Sequence, residues 1–252
     1  MDELHFMLSA DDTAIYAAYN SGDLDYIDTV PNDEISSLNG INPEFGILDN
    51  LGTYYIGFNV NDPIFDGKTE EQAAKMREAI SLLVDRQFIV ENVGQTGHIA
   101  VAESVQQDVA LLGINLEIKS EDWNVFLLDR KDGNFTIARE GWLADYNDPV
   151  NMLEIFTSDS GNNDMQLGKG TPVSSSPDWT AYNDLISQIC TTTDFAARVD
   201  LMHQAEDMLM NTWAVIPIYY YNDVYMQKFN VTGVYATVYG MKYFMYATKS
   251  AQ

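Results

Sequence analysis

The stretch NLEIKSEDWNVFLLDRKDGNFTIAREGWLADYNDP, residues 115–149, decides how the chain folds. Asn115-Leu116-Glu117-Ile118 reads as a strand, and Asp122 then offers an N-cap for a helix carrying Val125, Phe126 and Leu128. Phe135-Thr136-Ile137-Ala138-Arg139 is the next strand, and it runs straight into an unusual loop from Arg139 to Pro149. Immediately upstream, His98 to Leu112 places Val101, Val105, Val109 and Leu112 on one helical face, with Gly113 as its stop. Helix, strand, helix and strand in succession is the alternation of an α/β fold.

The same alternation extends outward. Leu4–Leu8 is a short apolar strand candidate. Asp11-Asp12-Thr13 caps a helix through Tyr19 that stops at Ser21-Gly22, Leu24–Asp28 alternates like a strand, and Pro31 opens a short helix ending near Asn39-Gly40. Thr53–Val60 is rich in aromatic and β-branched residues, as strands are. Thr69 begins a helix bearing Met76, Ile80, Leu83 and Val84, and Phe88-Ile89-Val90 continues a second one toward Gly94. Beyond the loop, residues 158–176 are rich in Gly, Ser and Asn and read as surface loop. Helices over 179–189 and 195–210 follow, then strands over 214–221, 225–229, 234–239 and 243–247.

Composition narrows what such a fold can do. With 252 residues, 13 Lys+Arg and 38 Asp+Glu, the net charge is −25. That balance opposes binding to nucleic acid or to an anionic membrane. A hydrophobic fraction of 46% and an aromatic fraction of 12% rule out an acidic disordered chain. The single cysteine, Cys190, makes neither an internal disulfide nor a zinc site by itself. Three histidines (His5, His98, His203) are a thin supply for acid–base chemistry, and no nucleophile elbow, zinc-protease or nucleotide-binding motif is present. Asp159–Asp164 has the oxygen-bearing residues of a calcium loop but lacks its twelfth-position Glu. No metal or other cofactor is expected. No run of apolar residues is long enough to span a bilayer, and the segment from Met1 to His5 lacks the basic and apolar regions of a signal peptide.

The loop from Arg139 to Pro149 combines a fixed cation, an indole, a carboxylate and a phenol at the end of a strand, where α/β folds usually bind ligands. A carboxylate such as Asp145 is the natural partner of an ammonium group, and Arg139 of a carboxylate. A zwitterion offers both ends; equally, the two residues could pair with neighbours in a structural turn. Asp145 with Asp148 or Glu140 also permits a second reading, an acid-based glycoside hydrolase.

Arg139-Glu-Gly-Trp142-Leu-Ala-Asp145-Tyr146-Asn-Asp-Pro149 resembles the signature loop of the dipeptide/oligopeptide-binding proteins, the family 5 solute-binding receptors of ABC transporters. Residues 14–27, the Phe58-Asn59-Val60 to Gln87 block, Gln106 to Trp123 and Val215–Tyr219 resemble other segments of that family, in order. The resemblance implies a non-catalytic lobe of a type II periplasmic-binding-protein fold, a mixed sheet flanked by helices. It makes residues 1–252 one lobe, with 1–97 and 98–252 joined across a shortened region, since members are about twice this length with two lobes closing over an extended peptide. It implies that Asp145 contacts the peptide's amino terminus, that Trp142 lines a side-chain pocket and that Arg139 sits nearby, with Asp148 structural. The implied partners are small peptides, a second lobe and an ABC-transporter permease, in an extracytoplasmic setting, periplasmic or anchored at the cell surface. A single lobe leaves its ligand half solvated, so millimolar binding or none is expected. A lobe without its partner surface is also expected to self-associate if Tyr54, Tyr55 and Tyr219-Tyr220-Tyr221 expose apolar area, although ordinary strand and core positions suit those tyrosines as well.

Overall fold

The computed structural model describes residues 3–93, 97–170 and 173–250. Gly94, Gln95 and Thr96, where the second helix was expected to stop and the shortened junction to begin, lie outside the described residues, as do Thr171 and Pro172 of the long loop. By proximity the chain divides into two compact units, Met1–Gly52 with Tyr220–Gln252, and Thr53–Tyr219. Two long strands, β2 (Phe45–Phe58) and β4 (Val215–Gln227), belong partly to each.

In the first unit, α1 (Asp12–Ser21) starts where the Asp11 carboxylate accepts the Ala14 N–H at 3.1 Å. It ends at Gly22, whose φ of +90° suits a residue without Cβ. β1 (Tyr26–Ile27) pairs antiparallel with the end of β4, Tyr26 opposite Gln227 and Ile27 opposite Met226. With α2 (Asn32–Leu38), these elements bury Tyr19, Ile27, Val30, Leu38 and Met226 as one core. The two-residue strands β5 (Val231–Thr232) and β8 (Thr248–Lys249) pair with each other, as do β6 (Tyr235–Ala236) and β7 (Lys242–Tyr243).

The second unit carries the helices. A reciprocal Thr69–Gln72 capping box opens α3 (Glu70–Leu83); α4 (Arg86–Phe88) runs into a π-helical turn at Ile89–Val93. Next, α5 (His98–Ala110) buries Val101, Val105 and Val109 at the expected spacing, and Asp122 caps α6 (Trp123–Asp132). β3 (Ile137–Leu143) completes a four-stranded sheet of order β1-β4-β2-β3. A larger core forms where α7 (Thr180–Thr191) and α8 (Phe195–Asn211) pack with Tyr55, Phe156, Met165 and Trp179.

Several expectations change. Residues 4–8 and 115–118 form no strand, because a short apolar run needs a neighbouring ladder to satisfy its backbone. β2 begins at Phe45 rather than Thr53, and β3 runs on to Leu143, so Arg139 to Trp142 are strand residues, not loop. The helix from His98 ends before Leu112, which is exposed. Tyr54 and Tyr55 are buried, at 0% and 4% exposure, whereas Tyr220 is 80% exposed; the apolar surface expected from these tyrosines is therefore confined to the latter run.

Candidate functional site

The two faces of β3 do different work. Ala138 and Glu140 point inward and are buried, while Arg139 lies between them on the other side, partly exposed. The Glu140 carboxyl accepts a hydrogen bond from Arg130 of α6, and Arg130 also reaches Asp164 at 3.4 Å. Burial pushes the Glu140 carboxyl up to about 8, outweighing the guanidinium beside it, and Asp164 adds to the rise. The Arg139 guanidinium stacks over Trp123 at 4.9 Å and Phe126 at 5.8 Å. It borders a mainly apolar cavity of about 290 Å³, with Tyr54, His98, Val105 and Ile118 among its walls. His98 stacks on Tyr54, and burial, then the nearby Arg139, lower its pKa.

Past the end of β3 the chain turns around Asn151, 2% exposed. Its Oδ1 accepts both the Trp142 indole N–H at 3.0 Å and the Asp145 backbone N–H at 2.9 Å. Its Nδ2 donates to Glu154 at 3.0 Å, and Glu154 also accepts the Tyr146 hydroxyl. One buried amide thus fixes the ring of Trp142 and the backbone of Asp145 together. The Asp145 carboxylate is exposed and meets no hydrogen-bond or ion-pair partner among the described residues. Asp148, by contrast, caps the turn through Val150 N–H and takes both arms of Arg198 at 2.8 and 3.0 Å. That fork holds its carboxyl below the usual range. Trp142 and Asp145 open onto a cavity of about 680 Å³ whose far wall is α7, including Asn183, Ser187 and Cys190.

A family model of the bacterial extracellular solute-binding proteins, family 5, middle region, matches residues 1–100 and 94–164. The chain belongs to the family 5 extracellular solute-binding proteins. The dipeptide-binding protein DppE of Bacillus subtilis is 25% identical over 300 residues, spanning 93% of this chain and 52% of DppE. The oligopeptide-binding protein OppA of the same organism is 33% identical over 148 residues, spanning 58% of this chain and 26% of OppA. Among solved structures, the Escherichia coli murein tripeptide binding protein MppA superposes with a TM-score of 0.70 at 21% identity, over 88% of this chain and 53% of MppA. These likenesses establish the periplasmic-binding-protein fold. The chain spans about half the length of DppE and MppA.

Of the three residues singled out in this family 5 chain, Trp142 and Asp145 share one cavity, and Arg139 borders another. The acids that a hydrolase reading would pair with Asp145 are otherwise engaged, Glu140 inside with Arg130 and Asp148 with Arg198. His203 is exposed on α8, a rim histidine. The sequence reading missed Asn151. An Asn two residues beyond a proline looks like any turn residue; its capacity to accept twice and donate once is what a loop holding an indole N–H and an adjacent backbone N–H requires.

Proposed function

We propose that this lobe binds the amino terminus of short peptides at Asp145, without catalysis, as the ligand-binding part of an extracytoplasmic receptor that works with an ABC transporter. The observation that carries the reading is the Asp145 carboxylate, without a partner among the described residues and set beside Trp142 by Asn151. A carboxylate held on a fixed backbone reads an ammonium without reading sequence, which suits a receptor for many peptides. Arg139 borders a separate cavity and stacks on Trp123 and Phe126, so it has no part in this reading. DppE and OppA, named for dipeptides and oligopeptides, support the assignment.

Asp145 is open to solvent, and a ligand in a complete pocket has about 70–90% of its surface covered. Binding by this lobe alone is therefore expected in the millimolar range, with a second lobe supplying the rest. An NMR titration of the four tryptophan indole N–H signals with di- to pentapeptides tests this, Trp142→Phe identifying the reporter. The Trp142 signal is expected to move with free-amine peptides, to stay still with N-acetylated ones and to stop responding in Asp145→Asn. Equal response to both peptide forms would sink the ammonium assignment.

A further inference from the structure

The apolar cavity of about 290 Å³ has the make-up of a gap in a sheet. One wall is β3, through Ile137 and Ala138, and among the described residues β3 ends the four-stranded sheet, bonded to β2 alone. Another wall is the run from Leu116 to Glu121. That run alternates as a strand does, with Ile114, Leu116 and Ile118 half-buried between exposed Asn115, Glu117 and Lys119. Yet it joins no sheet. The backbone N–H groups of residues 115–121 donate no hydrogen bond among the described residues, and the Leu116 carbonyl accepts only the Gln106 side chain, at 2.6 Å. Val101 and Val105 of α5 and Trp123 and Phe126 of α6 complete the walls.

The match to DppE runs over 300 residues yet takes in 93% of these 252, so several dozen residues of DppE have no counterpart here. The family model matches in two pieces that meet at residues 94–100, which puts the unmatched segment at that junction. His98 and Ile99, which open α5 directly after it, line the cavity. A strand ahead of α5, then α5 and the 114–121 run, would form one crossover unit; that run, α6 and β3 form the next. Crossovers leave their strands parallel. We infer that the cavity is a strand-binding slot, which takes an extended peptide segment of another molecule as a parallel strand between β3 and residues 115–121. Strands covered by helices are apolar throughout, so with α5 and α6 in the walls the occupant is a continuous apolar run of about five residues. Its backbone bonds supply affinity and its side chains selectivity. The slot uses neither Trp142, Asp145 nor Asn151 and needs no free ammonium, so it stands independently of the function proposed above.

The probes are short overlapping peptides, acetylated and amidated, that cover the unmatched DppE segment, and the readout is amide hydrogen exchange. The peptide with the continuous apolar run is expected to slow exchange in residues 115–121 and in β3 by about ten-fold, the scale of one ladder hydrogen bond. It should also shift the Trp123 indole N–H. The same peptide N-methylated at alternate amides keeps its side chains but loses its bonds to one edge, and should give no such protection. Ala102→Trp, which fills the cavity from α5, should abolish protection while its melting temperature confirms the fold. Equal protection by the N-methylated peptide overturns strand addition and leaves a cavity for any apolar ligand. Protection of residues 115–121 in the protein alone, lost on dilution, gives the slot to a second copy and overturns the separate partner. No protection by any peptide overturns the inference altogether. Because every probe lacks a free amine, none of these outcomes bears on Asp145.

Discussion

Asn151 bears more of the site than either residue that would touch a ligand. Replacing it with Leu leaves the Trp142 indole N–H and the Asp145 N–H without their shared acceptor and frees Glu154 from one donor. A part-buried donor left without its acceptor costs about 1 kcal/mol, so Asn151→Leu should lower stability by about 1–2 kcal/mol. It should also broaden the Trp142 indole N–H resonance as the ring loses its fixed orientation. Urea denaturation and the indole spectrum check both; an unchanged, sharp resonance would show that packing alone orients the ring. Trp142 and Asp145 could be picked out from sequence because an indole and a carboxylate at a strand end are conspicuous whatever surrounds them. Asn151 could not, since its meaning comes from its burial in the folded chain, which a turn Asn does not announce. For the same reason Arg139 was read with Asp145, whereas strand alternation turns it toward Trp123 and Phe126 on α6.

At the scale of elements, β3 is tied to α6 by a buried guanidinium that faces two carboxylates, Glu140 at 3% exposure and Asp164 at 5%. Two ionised carboxylates around one cation would leave an excess negative charge in the interior, and burial raises the pKa of both acids. The sign of the consequence is fixed. Glu140 holds its proton in the fold up to about pH 8 and loses it near pH 4.5 when unfolded. The folded state then binds more protons across that window, so stability is full below it and falls as pH rises through it. Asp164, shifted the same way, adds a fall of the same sign that begins at lower pH. Glu140→Gln should flatten the decline in melting temperature between pH 5 and about pH 8, with little effect at pH 5, where Glu140 is already neutral in the fold. An unchanged slope in the variant would place the pH dependence elsewhere. None of this was legible in the sequence, because Arg130 and Asp164 look like ordinary surface charges until β3 passes beneath them. Three of the helices were legible, since Asp11, Thr69 and Asp122 mark their own starts by capping. The first half of β2 was not: Gly46, Asp49, Asn50 and Gly52 are poor strand formers, and only pairing within the sheet makes them strand.

For the whole molecule, charge and apolar surface oppose each other. The first unit exposes Phe229, Met241, Met245 and Tyr246, and its Tyr235 stacks with Tyr243 at 5.1 Å and with Tyr246 at 6.2 Å. The second exposes Leu82, Leu111, Leu128 and Phe195. Apolar surface of this kind favours association, while a net charge of −25 drives like copies apart. The repulsion reaches about 30 Å at 0.01 M salt and only about 3 Å at 1 M, whereas contact between apolar groups does not weaken with salt. Sedimentation is therefore expected to show a monomer at low ionic strength and reversible self-association near 1 M salt. Met245→Ser combined with Tyr246→Ser removes apolar surface from the stacked cluster without changing charge, and should weaken the high-salt association. A strict monomer at high concentration and high salt would mean that these side chains present no cohesive surface. Association unchanged in the double variant would move the contact to the second unit, where Leu111→Ser and Leu128→Ser are the corresponding substitutions.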